Sequence, residues 1–298
     1  MVATLLLAAA LAPQAAPPAN PSSVTVGRAA ARVGDGIRVT SAVTTRNAVV
    51  FTVGGAKLRD FKQTNHDERT FDARLVAGEA DTPAAATPRV RIDYGDCRST
   101  VTDPTGDDRQ LLPLDSRHYL VERKEAAPSP LAVQELDPTK GETHAVSADV
   151  AEQVARDAGE LLDGARLAAL LSDRPLAVGR PIDVPADVAR SLLLGVLDRG
   201  TVSRFELTPK AASADADRVA FAATLAVAMK QGSDLQVEST FELAGEIVVG
   251  RSHGRIAALD LSGPIRFGGA KDEGGTRVEV TGTGTLTWTY RADPLDAK

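Results

Sequence analysis

A single cysteine, Cys97, and four scattered histidines are the natural starting points for chemistry in this sequence. Cys97 stands in Tyr94-Gly95-Asp96-Cys97, and His118 follows further along the chain. Nucleophilic catalysis would need that thiol and imidazole within hydrogen-bonding reach. No known signature surrounds the cysteine, and a buried, inert thiol is the ordinary role of such a residue. One cysteine also excludes an intrachain disulfide framework and any multi-cysteine metal site. His66, His118, His144 and His253 show neither an HExxH motif nor paired ligand spacing.

Three further groupings have the composition of a site without its geometry. Glu238, Glu242 and Glu246 share one face of a predicted strand. At a rise of ~3.3 Å per residue their spacing is about 13 Å, whereas glycosidase carboxylates act across about 5–10 Å. The run Gly268–Gly275 is glycine-rich, but it contains Asp272 and Glu273 and leads into a strand, so it is no phosphate cradle. Asp103, Asp107 and Asp108 around Gly106 lack the twelve-residue pattern of a calcium loop. The expectation is a protein that is not an enzyme, with no catalytic residues, no metal and no cofactor.

Composition agrees with a binding or structural role. The 298 residues carry a net charge of −6, and only 4% are aromatic. Both facts argue against a nucleic-acid partner. The charge is uneven: residues 28–74 hold nine basic side chains against five acidic ones, which leaves the rest of the chain at −10. That basic stretch is read either as a solvated strand face or as a docking face for an anionic partner.

The first twelve residues form an apolar Leu/Ala run, followed by small residues and prolines through Pro21. This predicts a signal peptide over residues 1–20 and export to the periplasm or beyond. The run is too short to span a bilayer, and no cysteine follows it to carry a lipid. No later segment is a transmembrane candidate. Four further regions are expected: a β-rich half over 21–130, a helical insert over 131–197, a four-stranded β-meander over 198–292, and a tail over 293–298.

The meander is the most legible region. Val219, Phe221, Ala223, Leu225, Val227 and Met229 alternate with smaller or polar residues, then Leu235, Val237, Phe241, Leu243, Ile247 and Val249 do the same. Two more alternating runs carry Leu259, Leu261, Ile265 and Phe267, then Val278, Val280, Leu286, Trp288 and Tyr290. Such patterns predict antiparallel strands with one apolar face. Turns near residue 232, near 252 and between 271 and 272 put all these apolar residues on one face. The same turns place Gly245 and Gly284 opposite Leu259, with Gly263 diagonal to Gly282. Glycines clustered on the inward face predict a strongly curved sheet or half-barrel. They leave either a trough for an apolar ligand or a seat for a helix. The ligand-facing candidates are therefore Phe241, Gly245, Leu259, Gly263, Gly282, Gly284 and Trp288.

The N-terminal half alternates at Ile37–Val43, Val49–Val53 and Phe71–Leu75, with a turn at Gly54-Gly55 and a further strand at Pro88–Tyr94. A long, polar strand covers 58–77, and a loop covers 78–88. Val33-Gly-Asp-Gly-Ile37-Arg-Val39 and Val178-Gly-Arg-Pro-Ile182-Asp-Val184 share the spacing V-G-x-x-I-x-V, an internal echo between the halves. Between them lie three predicted helices. The first is capped at Ser147, with its apolar face at Val150, Val154, Ala158 and Leu161 and its end at Gly164. The second covers 165–171 and the third 186–194, ending at Gly195. Their apolar faces are expected to cover the concave side of the sheet.

From Val33 to Tyr290, this pattern resembles uncharacterised exported bacterial proteins with long β-meanders flanking a helical insert. More distantly it resembles the curved half-barrels of envelope lipoprotein carriers. The resemblance implies a mainly β (α+β) fold, an open curved antiparallel sheet. It lies in pattern and topology, so no functional residue transfers with it. The leader, the glycine-broken inward face and the absent catalytic set leave three roles: an apolar-ligand or protein-segment binder, an interaction module of the cell envelope, or a hydrolase of unrecognised type, the last requiring Cys97, His118 and a carboxylate to converge.

Overall fold

A computed structural model describes residues 23–76, 88–123, 131–162, 166–172, 174–193, 200–211, 216–231 and 236–296. The expected signal peptide, the 78–88 loop apart from Pro88, the turn after Gln231, and the helix ends at Gly164 and Gly195 lie outside them. The chain order is β1 (Ser23–Val24), β2 (Gly36–Val53), β3 (Ala56–Val76), β4 (Arg89–Asp103), β5 (Gly106–Leu111), β6 (His118–Arg123), β7 (Leu131–Leu136) and β8 (Thr143–Ala145). Then come α1 (Ala148–Leu162), α2 (Arg166–Leu171), β9 (Leu176–Ala177), β10 (Ile182–Asp183), α3 (Ala186–Leu193), β11 (Gly200–Pro209), β12 (Arg218–Gln231), β13 (Val237–Gly250), β14 (Ile256–Glu273) and β15 (Thr276–Pro294). The fold is mainly β, as the alternation requires.

Among the described residues, thirteen strands form one sheet in the order β10-β11-β12-β13-β14-β15-β2-β3-β4-β6-β7-β8, with β5 also against β4, and every pair antiparallel. The two β-rich halves are therefore one sheet, joined where β15 pairs with β2 from Val278↔Val53 to Pro294↔Ile37. Both hairpins beside this seam close on glycine pairs with positive φ, Gly54 (58°) and Gly55 (81°), then Gly274 (58°) and Gly275 (82°). Two successive left-handed residues match the strand twist, and only glycine adopts them at little cost.

The glycine turn corrects the expected register. Gly268 and Gly269 are strand residues, and β14 runs on to Glu273 before it turns. Consequently Gly284 lies between Ile265 and Asn47; the separate β13–β14 hairpin places Gly245 opposite Leu261, not Leu259. Gly263 faces Leu286, and Gly282 lies between Phe267 and Val49, so those two glycines are not diagonal neighbours. The shift preserves parity, so the inward face is the predicted one. Two other details differ from the sequence reading. β7 and β8 occupy the start of the stretch read as a helical insert, and β11 adds a strand to the meander. The V-G-x-x-I-x-V echo is a shared local shape: Gly34 (φ 99°) and Gly179 (φ 78°) each turn the chain before a strand.

All three helices pack on the inward face. Val154, Ala158 and Leu161 of α1 join Phe71, Ile92, Tyr94, Tyr119 and Val121 in one buried cluster. Leu167 and Leu171 of α2 and Ala189 of α3 join Phe221, Leu225, Ile247 and Leu261 in another. Each large side chain fully buried there contributes about 1.5–3 kcal/mol.

Candidate functional site

Among the described residues, none of α1, α2 or α3 lines one stretch of the inward face. A trough of about 310 Å³ lies there, reaching from Met229 on β12 to Asn65 and Asp67 on β3. These strands are five steps apart in the sheet, about 24 Å if it were flat at ~4.8 Å per strand. Lining a single trough from both sides requires the sheet to wrap around it.

Glycines permit that wrapping. A Cβ at Gly245 would collide with the Asp260 carbonyl oxygen, one at Gly263 with that of Glu242, and one at Gly269 with that of Gln236. These are backbone-to-backbone approaches, and they bend β13 against β14. Gly282 and Gly284 act differently. A Cβ at Gly282 would meet the Phe267 ring, and one at Gly284 the Asn47 side-chain oxygen and the Arg46 carbonyl. These two glycines let Phe267 and Asn47 lie over β15 at the trough floor.

The walls differ in chemistry. Met229, Val237, Phe241, Ile265, Phe267 and Leu286 make one side apolar; Ser239, Thr45, Asn47, Asn65 and Asp67 supply the polar groups. The Gln63 side-chain N–H donates to Asn65 Oδ1 at 2.9 Å. Among the described residues, Thr45 Oγ1 and Asn47 Oδ1 are buried without a hydrogen-bond partner, and so is the neighbouring Trp288 Nε1. Trp288 is 6% exposed and pairs with Val43, diagonal to Thr45. A buried polar atom without a partner costs about 1–3 kcal/mol, so three around one trough are a notable concentration.

The sequence-derived candidates sort by this geometry. Phe241 lines the trough, Gly282 and Gly284 sit beneath lining side chains, and Trp288 adjoins it. Gly263 faces the lining residue Leu286. Gly245 bends the sheet, and Leu259 is core, packed between Ile247 and Tyr290. The polar residues Thr45, Asn47, Asn65 and Asp67 were not singled out in the sequence. The long run of strand register that brings β2 and β3 beside β15 is what assembles them.

A second chamber of about 730 Å³ opens at the other end of the same strands, where Asp35, Asp217, Arg218, His253, Arg255 and Tyr290 line it. The Arg255 backbone N–H donates to His253 Nδ1 at 3.1 Å, which leaves the neutral ring's proton on Nε2. Burial, reinforced by the Arg255 charge, holds this imidazole below its usual range.

Cys97 and His118 do not meet. Cys97 is buried on the inward face with Tyr94 and Ile92, and its backbone N–H donates to Asp115 Oδ1 at 2.8 Å. His118, on the outer face, shares a 2.8 Å hydrogen bond with Asp93 Oδ1. Burial pushes the Cys97 thiol up to about 11, the reverse of an activated nucleophile. Next to it, Asp157 of α1 accepts from Arg69 Nη1 at 2.9 Å and from Tyr94 Oη at 2.6 Å. That network ties the helix to β3 and β4. No cluster of three or more metal-ligating side chains occurs among the described residues.

No protein-family model matches the chain, and no curated protein matches it. A solved structure described as lipid–protein interactions in lipovitellin is similar with a TM-score of 0.38 at 10% identity, over 90% of this chain and 26% of that one. The chain thus spans about a quarter of that protein's length. No helix among the described residues is long and apolar enough to cross a membrane.

Proposed function

We propose that this chain is an exported, non-enzymatic binding protein that holds an apolar or amphipathic small molecule in the trough of its curved sheet. The observation that carries this reading is the pairing of an apolar wall with buried, unpartnered polar atoms at Thr45 and Asn47. An occupant with a hydrocarbon part and a polar part suits both walls. Trp288, the only tryptophan in the chain, adjoins the trough and serves as its reporter. Titrating the purified protein with lauryl-chain amphiphiles is expected to shift Trp288 emission saturably, and Phe267→Asp, at a partly buried position of the apolar wall, to abolish the shift while the far-UV circular dichroism stays native. No saturable change with any lauryl probe, together with native mass spectra free of bound ligand, rejects the reading.

Leu58 and Leu111, 72% and 69% exposed, favour a second role as an interaction module of the cell envelope. In that role they are partner contacts. Crosslinking from Leu58 positions in envelope extracts is expected to capture a defined partner, and Leu58→Asp to remove it.

A further inference from the structure

We infer that the trough selects an uncharged head group that both donates and accepts hydrogen bonds, a hydroxyl or carboxamide on a single hydrocarbon chain, and discriminates against carboxylates and phosphates. This rests on the binding role just proposed and names the ligand's chemistry. The polar wall contains hydroxyls at Thr45 and Ser239, amides at Asn47 and Asn65, and one ionisable side chain, Asp67. Among the described residues, no lysine, arginine or histidine lines the trough. An anionic head leaving water here would meet no cation among them to offset its desolvation.

Hydrogen-bond inventory points the same way. Asn47 Oδ1 accepts only, whereas the Thr45 hydroxyl donates and accepts. Both atoms are shielded where they stand, Asn47 Oδ1 against Gly284, and each reaches the trough when its side chain, which lines it, turns about its terminal bond. A carboxylate has no proton to give Asn47 Oδ1, and an ammonium has no lone pair for a Thr45 proton. A hydroxyl or carboxamide answers both. Asp67 is solvent-exposed, so its attraction for an ammonium is weakened by water.

The experiment compares lauroyl glycerol, laurate and laurylamine on the full chain, below their micellar concentrations, by Trp288 emission and isothermal calorimetry. Lauroyl glycerol is expected to bind about tenfold tighter than either charged probe, a difference of about 1.4 kcal/mol. Asn47→Leu is expected to erase that preference with lauryl-chain binding retained. Asp67→Lys is expected to bring laurate up to the affinity of the glyceride, a gain that misfolding cannot produce. Equal or tighter binding of laurate or laurylamine by the unaltered protein overturns the head-group inference and leaves the binding role standing. Failure of all three probes overturns the binding role itself.

Discussion

The Arg69–Asp157–Tyr94 cluster shows how one residue can hold an element in place. Removing the Asp157 carboxylate strands a largely buried guanidinium, which costs about 3 kcal/mol or more. Asp157→Ala is therefore expected to lower the urea midpoint clearly, and Tyr94→Phe to lower it by less, about 1 kcal/mol. Chemical denaturation followed by circular dichroism measures both. Cys97 gives a second residue-scale outcome. Its folded thiol titrates near 11, against about 8.5 when unfolded. The folded state thus favours the neutral thiol. That contribution is constant below pH 8.5 and declines as the pH rises from there toward 11. Cys97→Ala should flatten this part of the stability profile. Alkylation of Cys97 at pH 8 is expected only after urea is added.

At the scale of elements, two sorts of glycine make opposite demands. Gly274 sits in open space in a tight turn, so Gly274→Ala costs only the left-handed backbone penalty, about 1 kcal/mol. Gly263→Ala drives a methyl into the Glu242 carbonyl and should cost about 3 kcal/mol or prevent folding. Thermal melts of the two variants test the ranking. The sequence made the strands and their faces readable because alternation at period two is a local signal. It hid what depends on backbone detail. β11 carries a bulge between Val202 and Arg204, which puts Val202 out of step with Phe205 and Leu207 and breaks the alternation. Gly268 and Gly269 looked like loop because glycine serves turns and close approaches alike. The apolar wall was legible from Phe241 and its neighbours in the meander. The polar wall was not, since Thr45 and Asn47 meet β15 only through pairing between residues more than two hundred positions apart.

For the whole molecule, the continuous sheet predicts one cooperative unit. Trp288 emission, which reports on the seam, and far-UV circular dichroism, which reports on all strands, should trace a single urea transition. Two separated transitions would mean that the halves on either side of β15–β2 unfold independently. Pairing at such separation in the chain also predicts slow folding, on the order of milliseconds to seconds.

The β15–β2 junction has a consequence for biosynthesis. β2 emerges from the ribosome early, yet the strand that covers its outer edge is made only after β14. At ~5–20 residues per second, that edge waits on the order of ten to fifty seconds. Throughout this interval its free amides and carbonyls can recruit any extended chain nearby. Variants that weaken β15 should therefore accumulate as insoluble aggregates in cells, even where the purified protein tolerates them.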